Sequence, residues 1–198
     1  MTGAWAQPVS DAGRVIAGTA RGTRLEAPGD VTRPLGDRVK QTLFAILEPD
    51  LRDARVLDLF AGSGAAGIEA LSRGAAHATF VERDRRAAAV IATNLGKTRL
   101  AGQRARIVRA EALGWLASAE AAAAGPFDVV VVDPPYAEHG TLVAALEALG
   151  PRLAPHGRVV AKHFWRDPPP ASVGLLASER ERRFGETTLT FYRRAEDR

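Results

Sequence analysis

The chain predicts an α/β fold: a mostly parallel, seven-stranded sheet flanked by helices, with a small β-hairpin ahead of it. Three observations predict it. From residue 55 onward, apolar runs of strand length alternate with helix-periodic segments, the signature of a parallel sheet. Phe127-Asp128-Val129-Val130-Val131-Val132 is apolar almost throughout, as in a strand buried on both faces. Val56 to Gly67 reads as a strand, a glycine-rich turn and a helix start.

The elements follow in order. Residues 1–13 read as a polar lead. Arg14–Gly18 and Arg24–Ala27 flank a turn around Ala20-Arg21-Gly22 and read as a hairpin. Thr32-Arg33-Pro34 ends that piece, so the division is residues 1–30 as arm and hairpin and 31–198 as the main domain. A helix then carries Val39, Leu43, Ile46 and Leu47 on one face and stops before Pro49. Strands are expected at Arg55–Leu59, Ala78–Val81, Arg106–Arg109, Phe127–Val132 and Arg158–Ala161. Helices are expected at Ala65–Ser72, Arg85–Leu100, Leu113–Ala123 and Thr141–Leu153. After Pro168-Pro169-Pro170, two further strands fit near Val173–Ala177 and Thr187–Tyr192.

A length of 198 residues, 46% of them apolar and 25% charged, suits one soluble domain with a sizeable core. No apolar run approaches the ~20 residues of a membrane span, and Met1-Thr2-Gly3-Ala4-Trp5 lacks the look of a signal peptide. The expected location is cytoplasmic. The absence of cysteine removes disulfides, thiolate metal sites and cysteine nucleophiles. His77, His139 and His156 lack metal-ligand spacing, so no metal is expected. The net charge of +4 arises in residues 152–198, with 10 Lys/Arg against 6 Asp/Glu. Arginine supplies 24 of the 27 cations, which suits phosphate and base edges, although an Ala/Arg-rich composition explains the same count.

Two motifs carry chemistry. Gly62, Gly64 and Gly67 satisfy G-x-G-x-x-G, and Glu82 follows Gly62 by 20 residues, placed to accept from two ribose hydroxyls. Alone, that is also the reading of an NAD site. Asp58 just before the loop would repel a pyrophosphate and attract a cationic ammonium and sulfonium, which favours S-adenosylmethionine. Asp133-Pro134-Pro135-Tyr136 stands at the carboxyl end of the buried strand, where open sheets place their ligands. Proline has no N–H, so this turn offers acceptors for a planar amine, the Asp133 carboxylate and the Pro134 carbonyl, and the Tyr136 ring offers a flat stacking surface.

On these residues the chain resembles the class I S-adenosylmethionine-dependent methyltransferases, a Rossmann-like group, and within them the RsmD family. The resemblance covers about residues 14–193. It rests on Arg14–Gly18 with Arg21-Gly22, Thr32-Arg33-Pro34 with Asp37-Arg38-Val39, Leu43-Phe44, Leu57–Gly64, Glu69–Ala75, Phe80-Val81-Glu82 and Asp133–Tyr136. It implies methyl transfer to the exocyclic N2 of a specific guanine in 16S ribosomal RNA, with S-adenosylhomocysteine as product. Asp58, Phe60, Ala61, Gly62, Ser63 and Gly64 would hold the methionine part. Glu82 and Arg83 would lie at the ribose, Glu111 and Ala112 at the adenine, and Asp133 would border cofactor and target. Arg33, Pro34, Asp37 and Arg38 would form a lid, and Arg21 and Arg24 would meet the RNA or the small ribosomal subunit; a monomer is expected. Three positions depart from the family pattern: Leu35-Gly36 replace two threonines, Glu111 replaces an aspartate, and Lys162-His163 stand where an acid often follows.

Several residues have plainer readings. Phe60 also suits the core, and His163 reads as a satisfied strand-end residue. Trp5, Trp115 and Trp165 read as core or surface aromatics. Arg180, Arg182 and Arg183 alternate with Glu179 and Glu181 and read as a self-paired solvated face. Competing functions are amino methylation of DNA adenine N6, cytosine N4 or a protein glutamine, and a non-catalytic RNA-assembly module.

Overall fold

A computed structural model describes residues 11–29 and 36–197. Strands β1 (Asp11–Arg14) and β2 (Arg24–Glu26) form an antiparallel pair, and α1 (Asp37–Leu47) follows. The main body runs β3 (Arg55–Leu59), α2 (Ala65–Ser72), β4 (His77–Val81), α3 (Arg85–Thr98), β5 (Ala105–Val108), α4 (Ala112–Leu116), α5 (Ala119–Ala124), β6 (Phe127–Val132) and α6 (His139–Leu149). It closes with β7 (Leu153–Phe164), β8 (Ser172–Val173), β9 (Leu176–Phe184) and β10 (Thr187–Arg194). The main sheet has the order β5-β4-β3-β6-β7-β10-β9-β8, parallel from β5 to β7 and antiparallel beyond. It holds eight strands where the sequence predicts seven, the addition being two-residue β8.

Alternation along β6 explains the layering. Val129 and Val131 point into the core shared with α1, α2, α3 and the hairpin, whereas Val130 and Val132 face α4, α5 and α6. All four are at most 2% exposed, and burying such a side chain stabilises by about 1.5–3 kcal/mol each. Asp58 sits between Leu57 and Leu59, which face α4–α6, so its carboxyl points to the α2 side.

Helix α2 is buried along its whole length, including Glu69 and Ser72. The hairpin satisfies them. Glu69 accepts from the amides of Ile16 (2.8 Å) and Ala17 (3.0 Å) and from Arg73 Nε (2.8 Å). The Ser72 hydroxyl donates to the Ala17 carbonyl (2.6 Å) and accepts from the Ala20 amide (3.0 Å). This capture ends the first hairpin strand at Arg14, where the sequence predicts a strand over Arg14–Gly18. Lys40, wholly buried on α1, donates to the Arg14 carbonyl (2.5 Å), and burial lowers its pKa.

Other boundaries also differ from expectation. The helix expected over Leu113–Ala123 is two, because Ser118 accepts from the Ala121 amide and starts α5 afresh. The helix expected to Leu153 stops at Leu149, and β7 begins at Leu153 rather than Arg158. A register irregularity between the Phe127 and Val129 pairings lies where His156 has φ of 61°. Val173–Ala177 is not one strand: Gly174, at φ of 56°, separates β8 from β9. The alternating run Glu179–Arg183 lies within β9. Among the described residues Arg180–Arg183 form their ladder with β10, and charged side chains suit such an edge because they discourage pairing with a further chain.

Candidate active site

The carboxyl ends of β3, β4, β6 and β7 converge, and both chemical motifs lie there. After β3 the chain turns through Phe60, at φ of 66°, where a non-glycine residue is strained. Phe60 is partly buried and packs against the α4–α6 core. Ala61 and Gly64 frame the bend: the Ala61 amide donates to the Val81 carbonyl (3.0 Å), and the Gly64 amide to the Ala61 carbonyl (2.7 Å). The glycines divide their work. A Cβ on Gly67 would lie 2.3 Å from the Phe80 ring, so Gly67 lets α2 approach β4. A Cβ on Gly62 meets nothing within 4 Å, so Gly62 borders open space that a ligand can enter.

Three carboxyl groups surround that bend. Glu82 accepts from the amides of Gly62 (2.8 Å) and Asp84 (2.8 Å). Asp58, 2% exposed, accepts from the Gly67 amide (2.8 Å). Burial pushes the Asp58 carboxyl up to about 8; the Gly67 N–H opposes this, and the charges of Asp133 and Glu82 add to it. Negative charge around this bend would favour a cationic sulfonium and ammonium and disfavour a pyrophosphate.

Asp133 follows β6 and donates its amide to the Leu59 carbonyl (3.4 Å), which ties the turn to β3. Its carboxylate is held by Lys162, whose Nζ lies 2.6 Å from Oδ1 and 2.9 Å from Oδ2. The pairing of Val132 with Ala161 places these residues side by side. Burial raises the Asp133 pKa, and Lys162 pulls it back. A carboxylate has about four lone-pair sites, so one per oxygen is left for a further donor. The same ammonium sits 5.3 Å from the Tyr136 ring centroid. The Tyr136 hydroxyl pairs with Thr187 Oγ1 (2.6 Å), anchoring the turn to the start of β10. Pro134, Tyr136, His139, Lys162, His163 and Phe164 line a narrow cleft there.

The remaining predicted residues are dispersed. Arg83 bridges to Glu138 (2.7 Å), across the mouth between β4 and β6. Glu111 accepts from the amides of Leu113 (3.0 Å) and Gly114 (2.7 Å), capping α4 just before the buried Ala112; those bonds lower its pKa. Ser63 offers its carbonyl to Asn94 Nδ2 (2.9 Å). Asp37 begins α1 and pairs with Arg14 (3.2 Å), and Arg38 beside it is exposed. Arg33 and Pro34 lie outside the described residues. On the hairpin Arg21 is exposed, and Arg24 pairs with Asp11 (2.7 Å).

Sequence reasoning missed three contributors. Lys162 stood out only as a departure; the parallel register of β6 and β7 is the signal that puts it beside Asp133. Asn94, fully buried on α3, donates to the carbonyls of Ser63 and Glu26 (2.9 Å each) and accepts from the Glu26 amide (2.8 Å). It links the glycine bend to β2, and a lone asparagine gives no sequence signal for that. Thr187 is the third. Among the described residues no cluster of metal-ligating side chains is present, and no helix is long and apolar enough to cross a membrane.

A parallel sheet with an antiparallel far edge, a glycine bend after its central strand and an acid–Pro–Pro–aromatic tip define a class I S-adenosylmethionine-dependent methyltransferase fold. A family model described as Conserved hypothetical protein 95 matches residues 13–193, and the chain belongs to that family, the RsmD family. YlbH of Bacillus subtilis (strain 168), provisionally named an rRNA methyltransferase, is 39% identical over 184 residues, 91% of this chain and 98% of that protein. Ribosomal RNA small subunit methyltransferase D of Escherichia coli (strain K12) is 46% identical over 124 residues, 62% of this chain and 60% of that protein. The solved structure of Escherichia coli yhhF, provisionally titled a methyltransferase, superposes with a TM-score of 0.80 at 35% identity, covering 91% of this chain and 97% of that one.

Proposed function

We propose that the protein transfers a methyl group from S-adenosylmethionine to the exocyclic N2 of a specific guanine in 16S rRNA. The observation that carries this reading is the Asp133-Pro134-Pro135-Tyr136 tip standing beside the acid-walled glycine bend. When bound, the cofactor would supply a methyl carbon made electrophilic by its sulfonium sulfur. Asp58 and the Gly62–Gly64 bend receive its methionine part, and Glu82 its ribose through the lone pairs left by the Gly62 and Asp84 amides. Glu111, beside Ala112, caps a helix at the adenine end, with Arg83 nearby.

Guanine N2 is a poor nucleophile because its lone pair is delocalised into the ring. The Asp133 carboxylate and the Pro134 carbonyl accept its two hydrogens and hold the lone pair toward the methyl carbon. Transfer would form the nitrogen–carbon bond as the donor's carbon–sulfur bond breaks, with Asp133 placed to take the surplus proton. Positioning and fixed charge supply most of the acceleration. Lys162 contributes by holding Asp133 in the ionised, acceptor-only form against its burial. Asp37 and Arg38, at the start of α1, would border the target together with Arg33 and Pro34 outside the described residues, and Arg21 and Arg24 would meet RNA phosphates. The substrate assignment is supported by the name of the Escherichia coli relative, which specifies small-subunit ribosomal RNA.

The test is labelled-methyl transfer offered separately to small subunits, naked 16S rRNA, DNA and protein. Label is expected in 16S rRNA and depends on S-adenosylmethionine. Label confined to DNA or protein, or none in any acceptor, removes the assignment.

A further inference from the structure

The Tyr136 ring is the inner end of a row of aromatics that leaves the strand-tip cleft and reaches the surface. Phe164, the last residue of β7, lies 6.1 Å from Tyr136 between ring centroids, and Trp165 lies 6.3 Å beyond Phe164. Two arginines crown the outer ring. The Arg183 guanidinium carbon is 3.8 Å from the Trp165 centroid, and that of Arg166 is 4.8 Å from it. Both arginines are exposed and Trp165 is partly so. The ledge is built, not incidental. The Trp165 amide donates to the Glu186 carbonyl (3.0 Å), and Arg183 Nε donates to the Gly185 carbonyl (2.9 Å), which fixes the β9–β10 turn against the end of β7. The Tyr136 hydroxyl grips Thr187, the next residue after that turn. Arg183 is thereby assigned to the ledge, not to the self-paired charge face that the alternating sequence suggests.

We infer that the Trp165–Arg166–Arg183 ledge binds the single-stranded RNA flanking the target nucleotide, an inference that rests on the proposed methylation of RNA. An enzyme that acts on a base must take it out of its stack, and the strand on either side must then be held. Single-strand surfaces do this with an aromatic platform and cations that follow the backbone. A guanidinium lying on an indole keeps its N–H donors at the ring's rim, ready for a phosphate, and loses little freedom on binding. The charge of the ledge matches that occupant: two exposed arginines on an apolar ring at the edge of the cleft.

The experiment compares the full chain with the Arg166→Ala/Arg183→Ala double variant, with Trp165→Phe as the conservative control for packing. Unchanged affinity for S-adenosylmethionine verifies the fold. Methyl transfer is measured against naked 16S rRNA and against small subunits, and RNA binding is measured separately across a salt series. The double variant is expected to raise KM for RNA about tenfold with kcat nearly unchanged, and to lower the salt slope by about two phosphate contacts. Trp165→Phe is expected to retain most of the affinity. Wild-type KM, RNA affinity and salt slope in the double variant overturn the inference. So does a defect seen with small subunits but absent with naked RNA, which assigns the ledge to a protein neighbour. If the wild type binds RNA yet transfers no methyl, the proposed function falls while the binding series still decides the ledge.

Discussion

Asp133→Ala is expected to lower methyl transfer roughly a thousandfold or more while leaving affinity for S-adenosylmethionine nearly unchanged. The argument is electrostatic. The amine hydrogens of guanine need acceptors while the nitrogen becomes positive, and the Asp133 carboxylate is the charged acceptor at the tip. Alanine also strands the Lys162 ammonium, whose side chain is only 11% exposed, so some stability is lost as well. Asp133→Asn separates the two effects, since it keeps volume and an oxygen acceptor but removes the charge. It is expected to fold, bind cofactor and remain nearly inactive. Lys162→Met tests the other partner. Because Lys162 pulls the Asp133 pKa down, its loss shifts the acid limb of the pH–rate profile upward. Single-turnover rates from pH 5 to 9 read both effects, and an unshifted limb in Lys162→Met removes the role given to the lysine.

Asp58→Asn is expected to stabilise the cofactor-free protein and abolish cofactor binding at once. Burial holds the Asp58 pKa near 8, above its unfolded value of 3.8. The native state therefore keeps a proton that the unfolded chain releases. The group's contribution is fully present below pH 3.8 and is lost as pH rises to about 8. At pH 7 the cost is on the order of 4 kcal/mol, a large part of a typical domain's stability. Asparagine removes that cost and still accepts from the Gly67 amide, while its amide hydrogens face the Asp133 and Glu82 side. The gain in Tm should grow between pH 4 and 8. Binding of a cationic ligand draws Asp58 to its ionised form, so cofactor uptake by the wild type at pH 7 should release a proton. Calorimetry in buffers of different ionisation enthalpy reads that release. A wild type that takes up cofactor without releasing one contradicts the assignment of Asp58.

Legibility followed burial. Strands β3 and β6 and helix α2 match their sequence boundaries because each is almost wholly buried, so apolar runs and glycine stops mark them without ambiguity. The glycine bend, Glu82 and the Asp133–Tyr136 tip were visible for a related reason: each is a short contiguous motif. What escaped notice depends on partners distant in sequence. Lys162 is 29 residues from Asp133, and Asn94 is 31 from Ser63. Glu69 is 53 residues from Ile16 and decides where the hairpin strand ends. The Glu179–Arg183 run is exposed, as its charge alternation suggests, but Glu179 pairs with Arg158 and Arg193, and Arg183 lies on Trp165, partners on or just after neighbouring strands. Trp165 acquires meaning only when the β9–β10 turn brings Arg183 onto its ring.

The central claim is that an uncharged exocyclic amine is methylated at the tip of β6. The most direct measurement is nucleoside analysis by mass spectrometry after small subunits, methylated in vitro by this protein with an isotopically labelled methyl donor, are digested. The account predicts label in N2-methylguanosine alone, from one site in 16S rRNA, and none with Asp133→Asn. Label on a ribose hydroxyl, on a ring carbon or on a ring nitrogen would contradict it.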